Sequence, residues 1–494
     1  MNPYDQLIAH VSRTGAIGGA AGVLSWDQET MMPPDGAVHR AEQMGALSAV
    51  IHSRTVDPRV GEWLEAVDPA PLDAPARANL RRIARDHTRA TRLPERLAEE
   101  IARTTAGAQR VWAGAREADD FVAFAPTLEK VLDLRREEAS LLADGDADPY
   151  DALLDDYEPG MRTAELAALL DALRPALVGL RERIAASGIE PPQLSGTFEK
   201  SRQMAVARRI SDAYGYRWPA GRLDLAVHPF CSGFGPGDVR ITTRVDEADP
   251  FNCLYSTAHE LGHALYEQGL PLDRSMQPAG GYASMGVHES QSRLWENQIG
   301  RGRAFCRWLH REMKGFPAYD LADAEALYRA VNRVKTGYIR TEADEVHYNL
   351  HVMMRFDLER AMIAGDLEVR DLEEAWNERF RRDFGLAVDK PSNGVLQDVH
   401  WSVGLFGYFP TYTLGNVFAA ELFARLRQDV GDLDAMAERG EMAPVLEWLR
   451  RHVHSRGAEL QPMDLMEEAV GHTPTPEPLI AYLEAKFTDL YALA

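Results

Sequence analysis

Residues 259–263 read His-Glu-Leu-Gly-His, two imidazoles four positions apart with a glutamate directly after the first. On a helix the two histidines stand about 40° apart in azimuth and about 6 Å apart along the axis, so one metal ion can bridge them. Glu260 is rotated about 100° from His259 and stands beside such an ion instead of coordinating it. From there it can take a proton from a metal-bound water, whose pKa the ion lowers to about 7, and pass it to a leaving amine. The chemistry this arrangement supports is metal-assisted hydrolysis. Chance alone produces the string in a few per cent of chains of this length, so the surrounding residues must carry the rest of the argument.

A catalytic metal needs a third protein ligand and an open fourth position. His288 and Glu289 follow a glycine-rich stretch and open another helical segment, with Arg293 and Glu296 on the Glu289 face. We take Glu289 as the third ligand, and His288 as a residue that caps or lines the pocket. Further along, Arg340 and Asp344 have i, i+4 spacing. They read either as a surface ion pair worth a few tenths of a kcal/mol, or as a guanidinium that captures a substrate carboxylate and is held in place by Asp344. The segment 394–416 is dense in glycine and aromatic residues and contains His400, Trp401, Tyr408 and Tyr412. Such density ordinarily means core, yet a histidine with one or two tyrosines can also hold a tetrahedral oxyanion opposite a metal.

The elements that must position these groups are mostly helical. Around the motif, Asp249 is a plausible N-cap, Pro250 a first-turn residue and Gly269 a stop, with Leu254, Leu261 and Leu265 as the buried stripe. Leu166, Leu169, Leu170, Leu173, Leu177 and Leu180 recur at helical steps, as do Val445, Leu446, Leu449 and Val453. Pro94, Pro126 and Pro250 each mark the start of a helix. The helical period vanishes between Trp218 and Val245, where Val239, Ile241 and Thr243 alternate with Arg240, Thr242 and Arg244, the pattern of a small hairpin or short sheet. A second irregular stretch runs from Gly269 to Gly286. No internal repeat or low-complexity tract interrupts the chain.

The 494 residues carry 54 Lys+Arg against 76 Asp+Glu, a net charge of −22. A chain this acidic, without a basic block, is a poor partner for nucleic acid or an anionic membrane. Cys231, Cys253 and Cys306 are too few and too scattered for a disulfide framework, which fits a reducing cytoplasm. Neither a three-part signal peptide nor a run of 18 apolar residues is present.

With these strings in view, the chain resembles the carboxypeptidase Taq family of metallocarboxypeptidases. The likeness rests on His228-Pro229-Phe230, Asp238-Val239-Arg240-Ile241-Thr242, His288-Glu289-Ser290, Ile339-Arg340-Thr341-Glu342-Ala343-Asp344 and Gly394 to Trp401 with its Gln397-Asp398 and His400. An early Trp26-Asp27-Gln28-Glu29-Thr30 followed by Met32 to Ala37 also looks like the family's N-terminal region. The resemblance implies a mainly α, two-lobed fold with a deep substrate groove, akin to neurolysin and angiotensin-converting enzyme, usually as a homodimer. It implies metal ligands at His259, His263 and Glu289, a catalytic base at Glu260, and release of single residues from peptide C-termini with broad specificity, proline being disfavoured. We expect one zinc ion per chain, with cobalt as a possible substitute, in a single catalytic domain, 1–494.

Roles outside the metal site are our own reading. Arg340 is the first choice for the substrate's free carboxylate and Arg240 the second. His400 with Tyr412 is the choice for the oxyanion, with Tyr408 in reserve. The strand from Asp238 to Thr242 can pair with the substrate backbone by β-addition, which needs no particular side chains and so suits broad specificity. Two rivals are an oligopeptidase or dipeptidyl carboxypeptidase with the same metal site, and a non-catalytic protein stabilised by metal. The second would close its site with four ligands and leaves Glu260 without a purpose.

Overall fold

The computed structural model describes residues 2–145 and 147–493, and these are mainly helical, with one three-stranded sheet among them. The chain divides into two compact units, each assembled from three separate stretches. The first holds residues 1–91, 191–331 and 418–474; the second holds 92–190, 332–417 and 475–494.

In the first unit the N-terminal helix Pro3–Thr30 starts at Asn2, whose side chain accepts the Asp5 N–H. It is followed by the helices Ala37–Thr55, Pro58–Ala66 and Ala74–Arg92. Leu7, Val60 and Ile83 form a buried core shared by the helices Pro3–Thr30, Pro58–Ala66 and Ala74–Arg92. The sheet comprises β1 (Gly221–Leu225), β2 (Cys231–Gly233) and β3 (Val239–Thr243) in the order β1-β3-β2, with β1 parallel and β2 antiparallel to β3. The alternation along 239–243 thus marks a strand, but the central one. Substrate addition to Asp238–Thr242 is corrected on this ground: both edges of β3 are already paired, so its backbone has no bonds left to offer. Ser232 pairs inward with Arg240, whereas Cys231 and Gly233, in the alternate positions, turn their backbone groups away from β3.

The second unit is built from long helices, among them Glu95–Glu117, Phe121–Leu142, Thr163–Ser187, Glu345–Ala364 and Leu372–Phe384. Leu166, Leu170, Leu173, Leu177 and Leu180 are all buried on one side of Thr163–Ser187. Pro126 does not start a helix. The Phe121–Leu142 helix begins five residues earlier, where Asp120 accepts the Ala123 N–H, and it accommodates Pro126 near its first turns at the loss of one ladder bond.

Candidate active site

The helix carrying the histidine motif, Pro250–Glu267, begins at Asp249, whose carboxylate accepts the Phe251 N–H at 3.0 Å. Leu254, Leu261 and Leu265 are buried along it. Gly262 meets the neighbouring helix, Met285–Arg293, backbone to backbone: a Cβ there would lie 2.4 Å from the Ser292 Cα and 2.5 Å from the Gln291 carbonyl oxygen. Only glycine permits that approach, and the approach brings Glu289 to the histidines. The second helix is capped by Ser284, which accepts the Val287 N–H, and runs on into a wider π-turned segment, Leu294–Gly300, that carries Glu296.

Glu289 Oε2 lies 3.8 Å from His259 Nε2 and 3.6 Å from His263 Nε2. Ligand atoms at about 2.0–2.1 Å from a tetrahedral zinc stand roughly 3.4 Å apart, so the three groups converge as a metal site requires. Their other atoms are engaged in ways that preserve this aim. His259 Nδ1 bonds Glu296 Oε2 at 2.9 Å, and His263 Nδ1 lies 3.1 Å from the His288 carbonyl oxygen. An imidazole whose Nδ1–H donates to such an oxygen keeps its Nε2 lone pair for a metal. Arg293 Nε holds Glu289 Oε1 at 2.6 Å. His288 packs behind His263, its Nε2 3.0 Å from Glu267 Oε1. The donor set therefore fits one divalent cation.

Glu260 is 7% exposed. Burial pushes its carboxyl up to about 7; His259 pulls it down, while the carboxylates of Glu289 and Glu296 push it further up. A bound cation would act in the same direction as His259. For Glu296, burial is outweighed by the His259 hydrogen bond and by Arg293 and Arg301, which hold it well below the usual carboxylate range. Glu296 thus stays ionised and anchors His259. Its place seven residues beyond Glu289, two helical turns on, was the sequence signal for this role.

In the second unit Arg340 and Asp344 are not a helical pair. Arg340 lies in the short turn Arg340–Glu342, and Asp344 is the N-cap of Glu345–Ala364, accepting the Val346 and His347 N–H groups and bonding His347 Nδ1 at 2.8 Å. The partner of Arg340 is Asp398, whose Oδ1 accepts from Nε at 3.1 Å and from Nη2 at 2.9 Å. Asp398 Oδ2 also holds Arg355 at 2.7 Å, so two buried guanidiniums share one carboxylate and the cluster keeps one net positive charge. Sequence reasoning gave Asp398 and Arg355 no role. Asp398 stands inside the Gln397-Asp398-x-His400-Trp401 string, but nothing local marks Arg355. His400 Nε2 is 3.4 Å from the Tyr412 hydroxyl, and the Tyr408 ring is 5.7 Å from the imidazole. Burial, together with Arg340 and Arg355, outweighs Asp398 and brings His400 down to about 4.

Three further candidates lie in the sheet. Arg240 binds Asp238 through two bonds of 2.8 Å and stacks over Trp26 at 4.3 Å and Phe234 at 5.1 Å, fastening the N-terminal helix to the sheet. Thr242 is fully buried, its hydroxyl between the Phe230 N–H and carbonyl.

Residues 6–487 match the sequence model of the carboxypeptidase Taq (M32) metallopeptidases. The chain belongs to the carboxypeptidase Taq family. Thermostable carboxypeptidase 1 of Thermus thermophilus is 44% identical over 99% of both chains, and carboxypeptidase 1 of Bacillus subtilis is 34% identical over 96% of both. Among solved structures, the M32 carboxypeptidase from Deinococcus radiodurans matches with a TM-score of 0.94 at 39% identity, covering 99% of this chain and 100% of that one. Trypanosoma cruzi metallocarboxypeptidase 1 matches with a TM-score of 0.95 at 35% identity, covering 98% and 99%. As a carboxypeptidase Taq family member the chain is a metal-dependent carboxypeptidase, a hydrolase working with a divalent ion, and its mainly α fold is the family's. No helix among the described residues is long and apolar enough to cross a membrane.

Proposed function

We propose that this chain is a zinc carboxypeptidase that releases single residues from peptides with a free C-terminus, with broad specificity and proline disfavoured. The convergence of His259 Nε2, His263 Nε2 and Glu289 Oε2 beside the buried Glu260 carries the reading. Zinc, or cobalt in its place, supplies when bound the Lewis acid that acidifies water and polarises the scissile carbonyl. Glu260, buried beside the ligands, would take the proton of the attacking water and give it to the leaving amine. Glu296 and the His288 carbonyl fix the two imidazoles.

Arg340 is assigned to the substrate carboxylate, supported by the surplus positive charge it shares with Arg355 over Asp398. His400, neutral above about 4, is assigned with Tyr412 to the developing oxyanion, Tyr408 being the alternative. Peptides are the partners, and nucleic acid and membranes are not, on the charge of −22. Three free thiols support a cytoplasmic place, checked by cell fractionation. The homodimer suggested by the family resemblance is checked by sedimentation, where a monomer at micromolar concentration would refute it.

Replacing Glu260 by Gln tests the mechanism. The variant should bind one zinc per chain like the wild type and lose at least about a hundredfold in kcat. Wild-type turnover by E260Q would sink it.

A further inference from the structure

Glu359, on the helix Glu345–Ala364 of the second unit, is fully buried. A carboxylate taken out of water is costly unless its oxygens are bonded. Three neutral donors meet this one. The Trp401 indole N–H reaches Oε1 at 2.7 Å, while the Tyr150 hydroxyl at 2.7 Å and the Gly407 N–H at 3.0 Å both donate to Oε2. Burial pushes the carboxyl up to about 7, against the pull of these three bonds and of nearby Arg355. An apolar side chain often serves stability as well as a buried charge does, so the carboxylate needs another reason.

The reason lies in the chain it grips. Residues 394–409 belong to no helix or strand, so no ladder of backbone bonds fixes their path. Trp401 directly follows His400, and Gly407 directly precedes Tyr408. One carboxylate therefore ties both ends of the turn 401–407, and the side chains assigned to the oxyanion stand immediately outside the two tie points. Gly407 has a φ of 85°, and a Cβ there would lie 2.7 Å from the Leu153 carbonyl oxygen. Its N–H thus reaches Glu359 from a conformation and a close approach that suit glycine. Tyr150 completes the grip from the helix Pro149–Leu154. One turn before Glu359 on its own helix, Arg355 holds Asp398; two turns before that, the Tyr348 hydroxyl accepts from Arg340 Nη1 at 3.3 Å. A single stripe of that helix thus fixes both Arg340 and the turn.

We propose that Glu359 is a positioning residue for peptide hydrolysis: by gripping Trp401 and Gly407 it holds His400 and Tyr408 where the oxyanion develops. The inference rests on the oxyanion role assigned to His400 and its tyrosine. Three converging donors call for a group that only accepts. A glutamine would turn its own N–H groups toward at least one of them, so Glu359→Gln keeps the volume and loosens the turn.

The test uses the zinc-loaded enzyme at about pH 8, above the value to which burial raises Glu359. Its probes are one blocked peptide ending in phenylalanine and the phosphonate analogue in which tetrahedral phosphorus replaces the scissile carbonyl carbon. Glu359→Gln should lower kcat at least about tenfold with KM changed less than about threefold, and should weaken the phosphonate, read as Ki, by about the same factor as kcat. A merely structural defect lowers the fraction of active enzyme and leaves Ki unmoved. In a His400→Ala, Tyr408→Phe background the same change should cost less than about threefold, because the groups it positions are gone. Should Glu359→Gln fail to fold, Trp401→Phe removes a single N–H and should shift kcat and Ki together by at least about threefold. Wild-type kcat in the zinc-loaded variant, a fall in kcat without the matching change in Ki, or full additivity with the double replacement overturns the proposal. If the double replacement alone leaves kcat at the wild-type level, the oxyanion assignment fails instead, and this inference with it.

Discussion

Glu296 and His400 show how single side chains are set by what surrounds them. Glu296 Oε2 holds His259 at 2.9 Å and Arg293 at 3.3 Å, while Oε1 faces Arg301 at 3.2 Å. Replacing it by Gln removes the charge that orients His259 and faces Arg293 and Arg301. Zinc affinity, measured by competition with a chelator, should fall about 10- to 100-fold; an unchanged affinity would remove Glu296 from the site. His400 is held neutral, its pKa brought from 6.5 to about 4, chiefly by burial. The unfolded chain binds that proton below about 6.5 and the folded chain does not, so its contribution to stability is complete above 6.5 and is lost as pH falls toward 4. Between those values wild-type stability should climb with pH more steeply than that of His400→Gln, by up to about 1.4 kcal/mol per unit, in denaturant titrations at fixed zinc. Parallel slopes would contradict the buried neutral imidazole.

The element that sets the geometry of the metal site is the crossing of Pro250–Glu267 with Met285–Arg293. Since a Cβ at Gly262 would fall 2.4 Å from the Ser292 backbone, Gly262→Ala must push the helices apart and carry Glu289 away from the histidines. We expect the variant to retain less than half a zinc per chain after dialysis and to lose more than about tenfold in kcat/KM; full zinc and full activity would show the crossing to be slack. Local elements were legible wherever neighbours in sequence decide them. Asp249 caps its helix, and Leu254, Leu261 and Leu265 are buried along it. Strand order was not legible, because the alternation over 239–243 shows a strand without showing that β1 and β2 would cover both its edges. The Arg340–Asp344 pairing failed for a related reason. Spacing alone suggested a helix, whereas Asp344 is the cap that begins one, and the true partner, Asp398, lies 58 residues on.

At the scale of the molecule, three stretches build each unit and the chain passes between them five times. Composition and periodicity cannot register such interleaving, since it depends on contacts between residues hundreds of positions apart. The site residues were legible as strings; what each string touches was not, and Asp398 and Glu296 acquired roles only when packed. The charge of −22 bears on function in one way. A strongly acidic surface does not draw in a peptide's free carboxylate, which is why the proposed carboxylate role is given to a local cation, the Arg340–Arg355 pair that shares Asp398 and keeps one positive charge in surplus. The most direct test of the account compares one defined hexapeptide with its C-terminal amide, following the residues released by the zinc-loaded enzyme over time. The account predicts stepwise release of single residues from the free acid, beginning with the last, and at least about a hundredfold slower cleavage of the amide. Equal cleavage of both, or initial release of a dipeptide or an internal fragment, would contradict it.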